Sequence, residues 1–175
     1  TILAYLDSTF PEPRLIPEDP VEKALSHIIE DWADESLFFY DLTMRGWPNN
    51  VDWLVSDVLS HDQGFSKMIL TRLLPGGVRK MSIAQGIGRK EPVIVCQEVE
   101  AHFDRLVDLL GQGDWLVGRC LSVADIGVAA MCTVSERAEE AAQRMRERTG
   151  LMEWLERVES LTVAPGTSRQ ERDIV

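Results

Sequence analysis

Apolar residues recur three and four positions apart along most of this chain, which is the spacing of one face of an α-helix. The longest such run follows Asp19 and Pro20, a good helix start because aspartate caps the first turn and proline suits the first helical position. The run predicts one long amphipathic helix from Pro20 to about Arg45, which ends near Gly46 and Pro48.

Residues 118–134 are the stretch around which the rest of the chain is organised. Ser122 precedes Asp125 by three positions, the spacing of a capping box, in which each side chain bonds a backbone N–H that the first helical turn leaves unpaired. The following positions are apolar on every face, so we expect this helix to be buried on all sides. Ser122 and Asp125 are therefore predicted to be structural residues.

Four further helices are predicted, over residues 49–74, 92–110, 135–148 and 152–158. The first is either continuous or split near residues 60–64, and Pro75-Gly76-Gly77 should end it. Residues 78–92 contain four basic residues and predict a short irregular helix and a turn. No two segments have the alternation and turn chemistry of paired strands, so the predicted fold class is all-α.

Composition narrows the class of protein. The 175 residues are enough for one domain, and 18 Lys and Arg against 29 Asp and Glu give a formal net charge of −11, which argues against nucleic-acid binding. No apolar run reaches the roughly 20 residues of a membrane span, so we expect no membrane partner. The three cysteines read as buried thiols in a reducing compartment, which predicts a cytoplasmic protein without disulfides.

Three other groups of residues that could bind a metal or a cofactor are better explained as structural. The three histidines are too far apart for a helical metal site, so no metal is predicted. Gly86 and Gly88 lack the preceding strand of a dinucleotide site and predict a turn. The acidic cluster of Asp31, Asp34 and Glu35 is better explained as a solvated helix face than as a general base or cation site.

The aromatic residues of the long helix and of the segment after it leave two interpretations open. The set consists of Trp32, Phe38, Phe39, Tyr40 and Trp47. Aromatic residues at helical spacing usually form core. However, three consecutive aromatic residues cannot all face one core, so part of the set could instead form the wall of a hydrophobic ligand pocket.

Together these segments resemble the helical C-terminal domain of the cytosolic glutathione transferase family. The most specific likeness is residues 115–126, Trp-Leu-Val-Gly-Arg-Cys-Leu-Ser-Val-Ala-Asp-Ile, with its apolar-Val-Gly segment, serine cap and aspartate. Residues 153–158, Glu-Trp-Leu-Glu-Arg-Val, resemble a late segment of the family. Residues 2–6 with Phe10 and Pro11 resemble the end of the last helix of its thioredoxin-like domain.

The resemblance implies a domain organisation. Residues 1–10 would be the end of a thioredoxin-like domain and 21–161 the helical domain. Between them, four prolines predict an extended linker over residues 11–20, and low apolar content predicts a mobile tail over residues 162–175. In the family the thioredoxin-like domain holds glutathione and ionises its thiol. Those residues would precede Thr1, so no catalytic residue is expected in this chain, which alone should not conjugate glutathione.

The resemblance also implies site residues and partners. In the family the helical domain supplies the wall of the electrophile pocket, chiefly from its long first helix, and much of a dimer interface. Carried onto this sequence, the pocket candidates are Trp32, Glu35, Phe39 and Met44. The implied partners are glutathione as co-substrate, a hydrophobic small-molecule electrophile and a second copy of the chain in a homodimer.

The leading hypothesis is thus the electrophile-pocket and dimerisation domain of a glutathione transferase-like protein, which would add the glutathione thiol to an electrophile or reduce a mixed disulfide. A second hypothesis is a non-catalytic protein-interaction module that uses the same fold. An unrelated soluble helical bundle is the third, and it requires the capped, apolar helix to be a coincidence.

Overall fold

The structure, a computed structural model, describes residues 2–61 and 63–162, and within these ranges the backbone forms helices and no strand. The α-helices are α1 (Ile2–Thr9), α2 (Pro20–Trp32), α3 (Phe38–Arg45), α4 (Val51–Val58), α5 (Gly64–Gln85), α6 (Pro92–Leu110), α7 (Val123–Ser135), α8 (Glu139–Arg146) and α9 (Thr149–Thr162). A π segment (Ala33–Leu37) joins α2 to α3, and a 3₁₀ turn (Ile87–Arg89) precedes α6. The predicted all-α class is confirmed.

The long helix predicted after Asp19 is formed by α2, the π segment and α3 without a break in helical backbone. Its start is as predicted, since Asp19 Oδ1 accepts hydrogen bonds from the backbone N–H groups of Val21 at 2.9 Å and Glu22 at 3.0 Å. The π segment was not predicted. Because a π turn is wider than an α turn, it rotates the side chains of α3 relative to those of α2.

The second helical stretch is split, as one of the two alternatives had it, into α4 and α5. The prediction that Pro75-Gly76-Gly77 ends this stretch, with an irregular helix after it, is wrong, because α5 continues to Gln85. Proline removes one intrahelical hydrogen bond, which leaves the Thr71 carbonyl without its donor. Thr71 is exposed, so water is available to that carbonyl, while Val78 and Ser82 are buried and hold the second half of the helix against the domain.

The main hydrophobic core lies where α6, α7 and α9 meet the long helix, with Trp154 and Phe103 as its largest fully buried side chains. A smaller cluster of Leu42, Leu54 and Val78 lies between α3, α4 and α5. Within the described ranges, no helix combines the length and the apolar character that crossing a bilayer requires.

Two burial predictions need correction. Helix α7 is largely buried, but Ala130 is exposed, so the helix is not covered on all sides. One face of α7 therefore reaches solvent with a small side chain, which exposes little apolar surface. Cys96 and Cys132 are buried free thiols as predicted, whereas the free thiol Cys120 is exposed, because it lies in the loop before α7 and not in a helix.

The predicted linker, residues 11–20, is not helical before Pro20, but it is tied to the domain. Asp7 Oδ1 accepts the backbone N–H groups of Leu15 at 2.9 Å and Ile16 at 3.2 Å. The Leu15 carbonyl in turn accepts the N–H of Val123 at 2.9 Å, which is the first residue of α7. The predicted tail, residues 162–175, lies outside the described residues after Thr162.

Candidate functional site

Asp125 forms the structural centre of the domain. Its Oδ1 accepts the Leu116 backbone N–H at 2.9 Å and the Trp154 indole N–H at 3.0 Å. Its Oδ2 accepts the backbone N–H of Ser122 at 2.9 Å and the Ser122 hydroxyl at 2.8 Å. The capping box predicted for Ser122 and Asp125 is formed, and the same carboxylate also joins the loop before α7 to α9.

The loop that leads into α7 is shaped by Gly118, which has φ of +68°, a conformation that glycine adopts without strain. A Cβ at this position would also lie 2.8 Å from Glu22 Oε2 on α2. A cavity of about 340 Å³ lies between residues 117–121 and the linker, and it includes the exposed Cys120. Its walls are segments that the Asp125 and Leu15 hydrogen bonds already fix in place.

The four predicted substrate-binding residues lie in different environments. Trp32 is half-buried, with its ring centroid 5.3 Å from that of His102, and Glu35 is exposed on the π segment. Phe39 is half-buried between the two core clusters, and Met44 is 1% exposed inside the larger one. Substrate contact by these four residues stays a prediction, and for Met44 it would require the core to open.

Trp32 belongs to a polar and aromatic cluster between the long helix and α6. The Tyr40 hydroxyl donates to Glu98 Oε2 at 2.9 Å, and Lys90 Nζ lies 2.5 Å from the same oxygen and 3.3 Å from the Tyr40 hydroxyl. The His102 ring lies between those of Trp32 and Tyr40, at 5.3 and 5.1 Å.

The charges in this cluster are mutually satisfied. The Lys90 ammonium lowers the pKa of Glu98, while burial raises the pKa of Tyr40 and the hydrogen bond to Glu98 adds to that effect. Burial, with Arg105 nearby, lowers the pKa of His102. At neutral pH the cluster therefore holds an ionised Glu98, a charged Lys90, a phenolic Tyr40 and a neutral His102. The hydrogen bond between Tyr40 and Glu98 joins α3 to α6.

A groove of about 660 Å³ lies next to this cluster, between the end of α3, the second half of α5 and the start of α6, and Lys90 belongs to both. The lining residues are Thr43, Gly46, Trp47, Pro48, Val51, Pro75, Gly76, Arg79, Ser82, Gly88, Lys90 and Pro92. Its walls are mainly apolar or backbone, with a few polar groups, which is the composition of a small-molecule site.

Two close contacts give the groove its walls. Gly88 lets the 3₁₀ turn lie directly on α5, since a Cβ there would come within 2.7 Å of the Ser82 backbone. The loop after α3 is held by Asn50, whose Nδ2 donates to the Met44 carbonyl at 3.0 Å and to Glu140 Oε2 at 2.8 Å on α8. Trp47 and Pro48 are thereby fixed on one side of the groove.

The sequence did not predict this groove. Of its lining residues, only Trp47 was a candidate for a ligand pocket, as a member of the aromatic set. The signals that were present are Pro75 and Gly76, read only as a helix stop, and Gly88, read as a turn. They could not show a groove, because its lining comes from two segments, 43–51 and 75–92, that are at least 24 residues apart. In the described part of the chain no cluster of His, Cys, Asp and Glu could hold a metal ion.

Comparison with known proteins agrees with this arrangement. The family model of the glutathione S-transferase C-terminal domain matches residues 70–157, half of the chain. The matched region runs from α5 to α9 and contains the capping box, Asp125 and Trp154. No curated protein matches the sequence.

The fold and the capped buried helix define a helical domain of the glutathione transferase type. The family match makes the assignment direct: this chain belongs to the glutathione S-transferase C-terminal domain family.

Proposed function

We propose that this chain provides the pocket for the second substrate of a glutathione transferase-like protein, and that the groove between α3, α5 and α6 is that pocket. The observation that carries the proposal is the groove in a domain of this family. Its volume of about 660 Å³ is in the range of small-molecule sites.

In this proposal the groove holds an electrophile against apolar side chains, chiefly Trp47, Pro48 and Val51. The thiolate of glutathione, bound and ionised by other parts of the complete protein, attacks the electrophilic carbon. A carbon–sulfur bond forms and the leaving group departs. The contribution of this chain is to position the electrophile, which turns a bimolecular encounter into a reaction between held groups.

The family assignment also supports glutathione as co-substrate, a cytoplasmic location and a homodimer, and we include these in the proposal. Trp32, Glu35, Phe39 and Met44 remain the substrate-binding residues that the resemblance implies. The residues that line the groove are different ones. One experiment can therefore tell which of the two groups of residues binds the electrophile.

That experiment measures glutathione conjugation of 1-chloro-2,4-dinitrobenzene by the full natural protein, with the variants Trp47→Ala and Trp32→Ala. If the groove binds the electrophile, Trp47→Ala raises KM for the electrophile roughly tenfold, the size expected for loss of a large apolar contact. KM for glutathione stays unchanged. If Trp32→Ala raised KM for the electrophile instead, the electrophile pocket would lie at the cluster around His102.

Trp53→Ala is the matched control, because Trp53 is a half-buried tryptophan that stacks on Arg137, 4.7 Å away, and does not line the groove. A full natural protein that neither binds glutathione nor turns over model electrophiles would overturn the proposal.

A second candidate function is a non-catalytic protein-interaction module, and exposed apolar side chains favour it. Val21, Leu25 and Ile28 follow one face of α2 with exposures of 66%, 46% and 63%. An apolar stripe of this kind often marks a surface that binds another protein. Under this hypothesis the full natural protein shows no conjugation activity, and replacing Leu25 and Ile28 with Ser abolishes its association with a protein partner.

A further inference from the structure

We propose that the groove takes a ligand with an acidic group, a carboxylate or a phosphate, and that Arg79 anchors this group. The inference rests on the proposed function, since it assigns a substrate class to the same groove. The lining contains two cations, Arg79 and Lys90, and no Asp or Glu. This is unusual in a chain with a formal net charge of −11.

The positive character extends beyond the lining. Residues 64–90 carry six Lys and Arg residues and no Asp or Glu, although acidic residues outnumber basic ones in the chain as a whole. This basic segment supplies α5 and the 3₁₀ turn, which form two sides of the groove. Charges of one sign around a cleft reinforce each other there. Acidic residues on distant faces act weakly, because salt screens charges over about 8 Å at physiological ionic strength.

The two lining cations differ in availability. Lys90 is engaged, with its Nζ 2.5 Å from Glu98 Oε2 and 3.3 Å from the Tyr40 hydroxyl. Arg79 is exposed, and over residues 2–61 and 63–162 its side chain has no hydrogen-bond or ion-pair partner. A guanidinium group presents a planar pair of donors that matches the two oxygens of a carboxylate or phosphate. Arg79 is therefore the group available to an acid.

A second polar group lies one helical turn from Arg79. Ser82 is 3% exposed and lines the groove, and its Oγ has no hydrogen-bond partner among the described residues. Buried hydroxyls are almost always hydrogen-bonded, so an unpaired one beside a cavity suggests a missing partner. Residues three apart on a helix are neighbours on its surface, so Arg79 and Ser82 face the same side of the groove.

The apolar residues of the lining indicate what the rest of the ligand is. Trp47, Pro48, Val51 and Pro92 present ring and aliphatic surface to the groove. An apolar or aromatic body against these residues would place an acidic end towards Arg79. The substrate class we infer is thus an electrophile with an apolar body and an acidic group.

The test uses unreactive probes, so it does not depend on conjugation activity. 4-Phenylbutyrate and its neutral amide, 4-phenylbutanamide, have the same body, and phenyl phosphate supplies the other acid. Binding to the chain is followed by ¹⁵N NMR shifts of groove residues. We expect the better of the two acids to bind about fivefold tighter than the amide, the size of a solvent-accessible ion pair. Added NaCl should remove this difference.

Arg79→Gln should reduce the affinity for the acid to that for the amide and leave amide binding unchanged. Lys80→Gln is the matched control, because Lys80 is the adjacent exposed cation on α5 and does not line the groove. Equal affinity for acids and amide, or an equal effect of both substitutions, would overturn the acidic-substrate inference and leave the groove as the pocket. No shifts in the groove with any probe would overturn the pocket itself.

Discussion

Two aspartates are fully buried at the packed faces of α3 and α7, and their surroundings differ. Asp125 accepts four hydrogen bonds, from two backbone N–H groups, one hydroxyl and one indole. Asp41 has an ion pair to Arg45 Nη2 at 2.6 Å, but within the described ranges neither of its oxygens has a hydrogen bond of good geometry.

The consequence appears in the ionisation of Asp41. Burial raises its pKa from 3.8 to about 6, and the opposing effects of Arg45 and Ser135 do not offset this. A buried carboxylate is tolerated when donors replace the water that it has lost, and it is costly when they do not. Burial alone therefore does not determine whether a carboxylate stabilises the fold. The number of hydrogen-bond donors around the carboxylate does.

The largest effect is expected at Asp125. Asp125→Ala leaves the N–H groups of Leu116, Ser122 and Trp154 buried without their acceptor, so the free energy of unfolding should fall by about 3–5 kcal/mol. Urea unfolding followed by circular dichroism measures it. Asp108→Ala, at an exposed aspartate of α6, is the control and should change stability by less than about 0.5 kcal/mol. If both substitutions lowered the free energy of unfolding equally, the hydrogen bonds to Asp125 would not be central to the stability of the domain.

The next effect concerns pH. The folded-state pKa of Asp41 is raised above its ordinary value, so the folded protein binds the proton more tightly than the unfolded chain does. The contribution of Asp41 to stability should therefore fall as pH rises from about 4 to about 6 and be constant above that. The size is up to about 3 kcal/mol, since one pKa unit corresponds to about 1.4 kcal/mol.

Unfolding free energies of the wild type and of Asp41→Asn, measured at a series of pH values, isolate this term. The wild type should lose stability relative to the variant across the window. Asp108→Asn should follow the wild type. Parallel profiles for the wild type and Asp41→Asn would mean that Asp41 is as well solvated as an exposed carboxylate.

The smallest effect is expected at Ser122. Ser122→Ala removes the hydroxyl of the capping box, but the Ser122 backbone N–H still reaches Asp125, so the cost should be about 1 kcal/mol. Ser56→Ala, at an exposed serine of α4, provides the baseline. In a double-mutant cycle with Asp125→Ala, the two losses should not add, because both substitutions remove the same hydrogen bond. If the two losses of stability added, the Ser122 cap would be energetically independent of the hydrogen bonds to Asp125.

The elements that the sequence predicted well are those with local signals. The helix starts at Asp19 and Ser122 depend on side chains two or three residues from the groups they bond. The continuation of α5 through Pro75 could not be predicted in this way, since it depends on the burial of Val78 and Ser82 against distant segments. The groove was missed for the same reason, and its cation Arg79 appeared only as one of several basic residues.

The sequence by itself therefore determined the all-α class, the capped helix at the centre of the domain and the likeness to the glutathione transferase family. These follow from periodicity and from caps, which act within a few residues. Tertiary structure alone decided that Trp154 donates to Asp125, 29 positions away, that Asp41 is buried beside Arg45, and that Trp47 and Arg79 line one groove. Burial and donor supply depend on which helices meet, and local spacing carries no information about that.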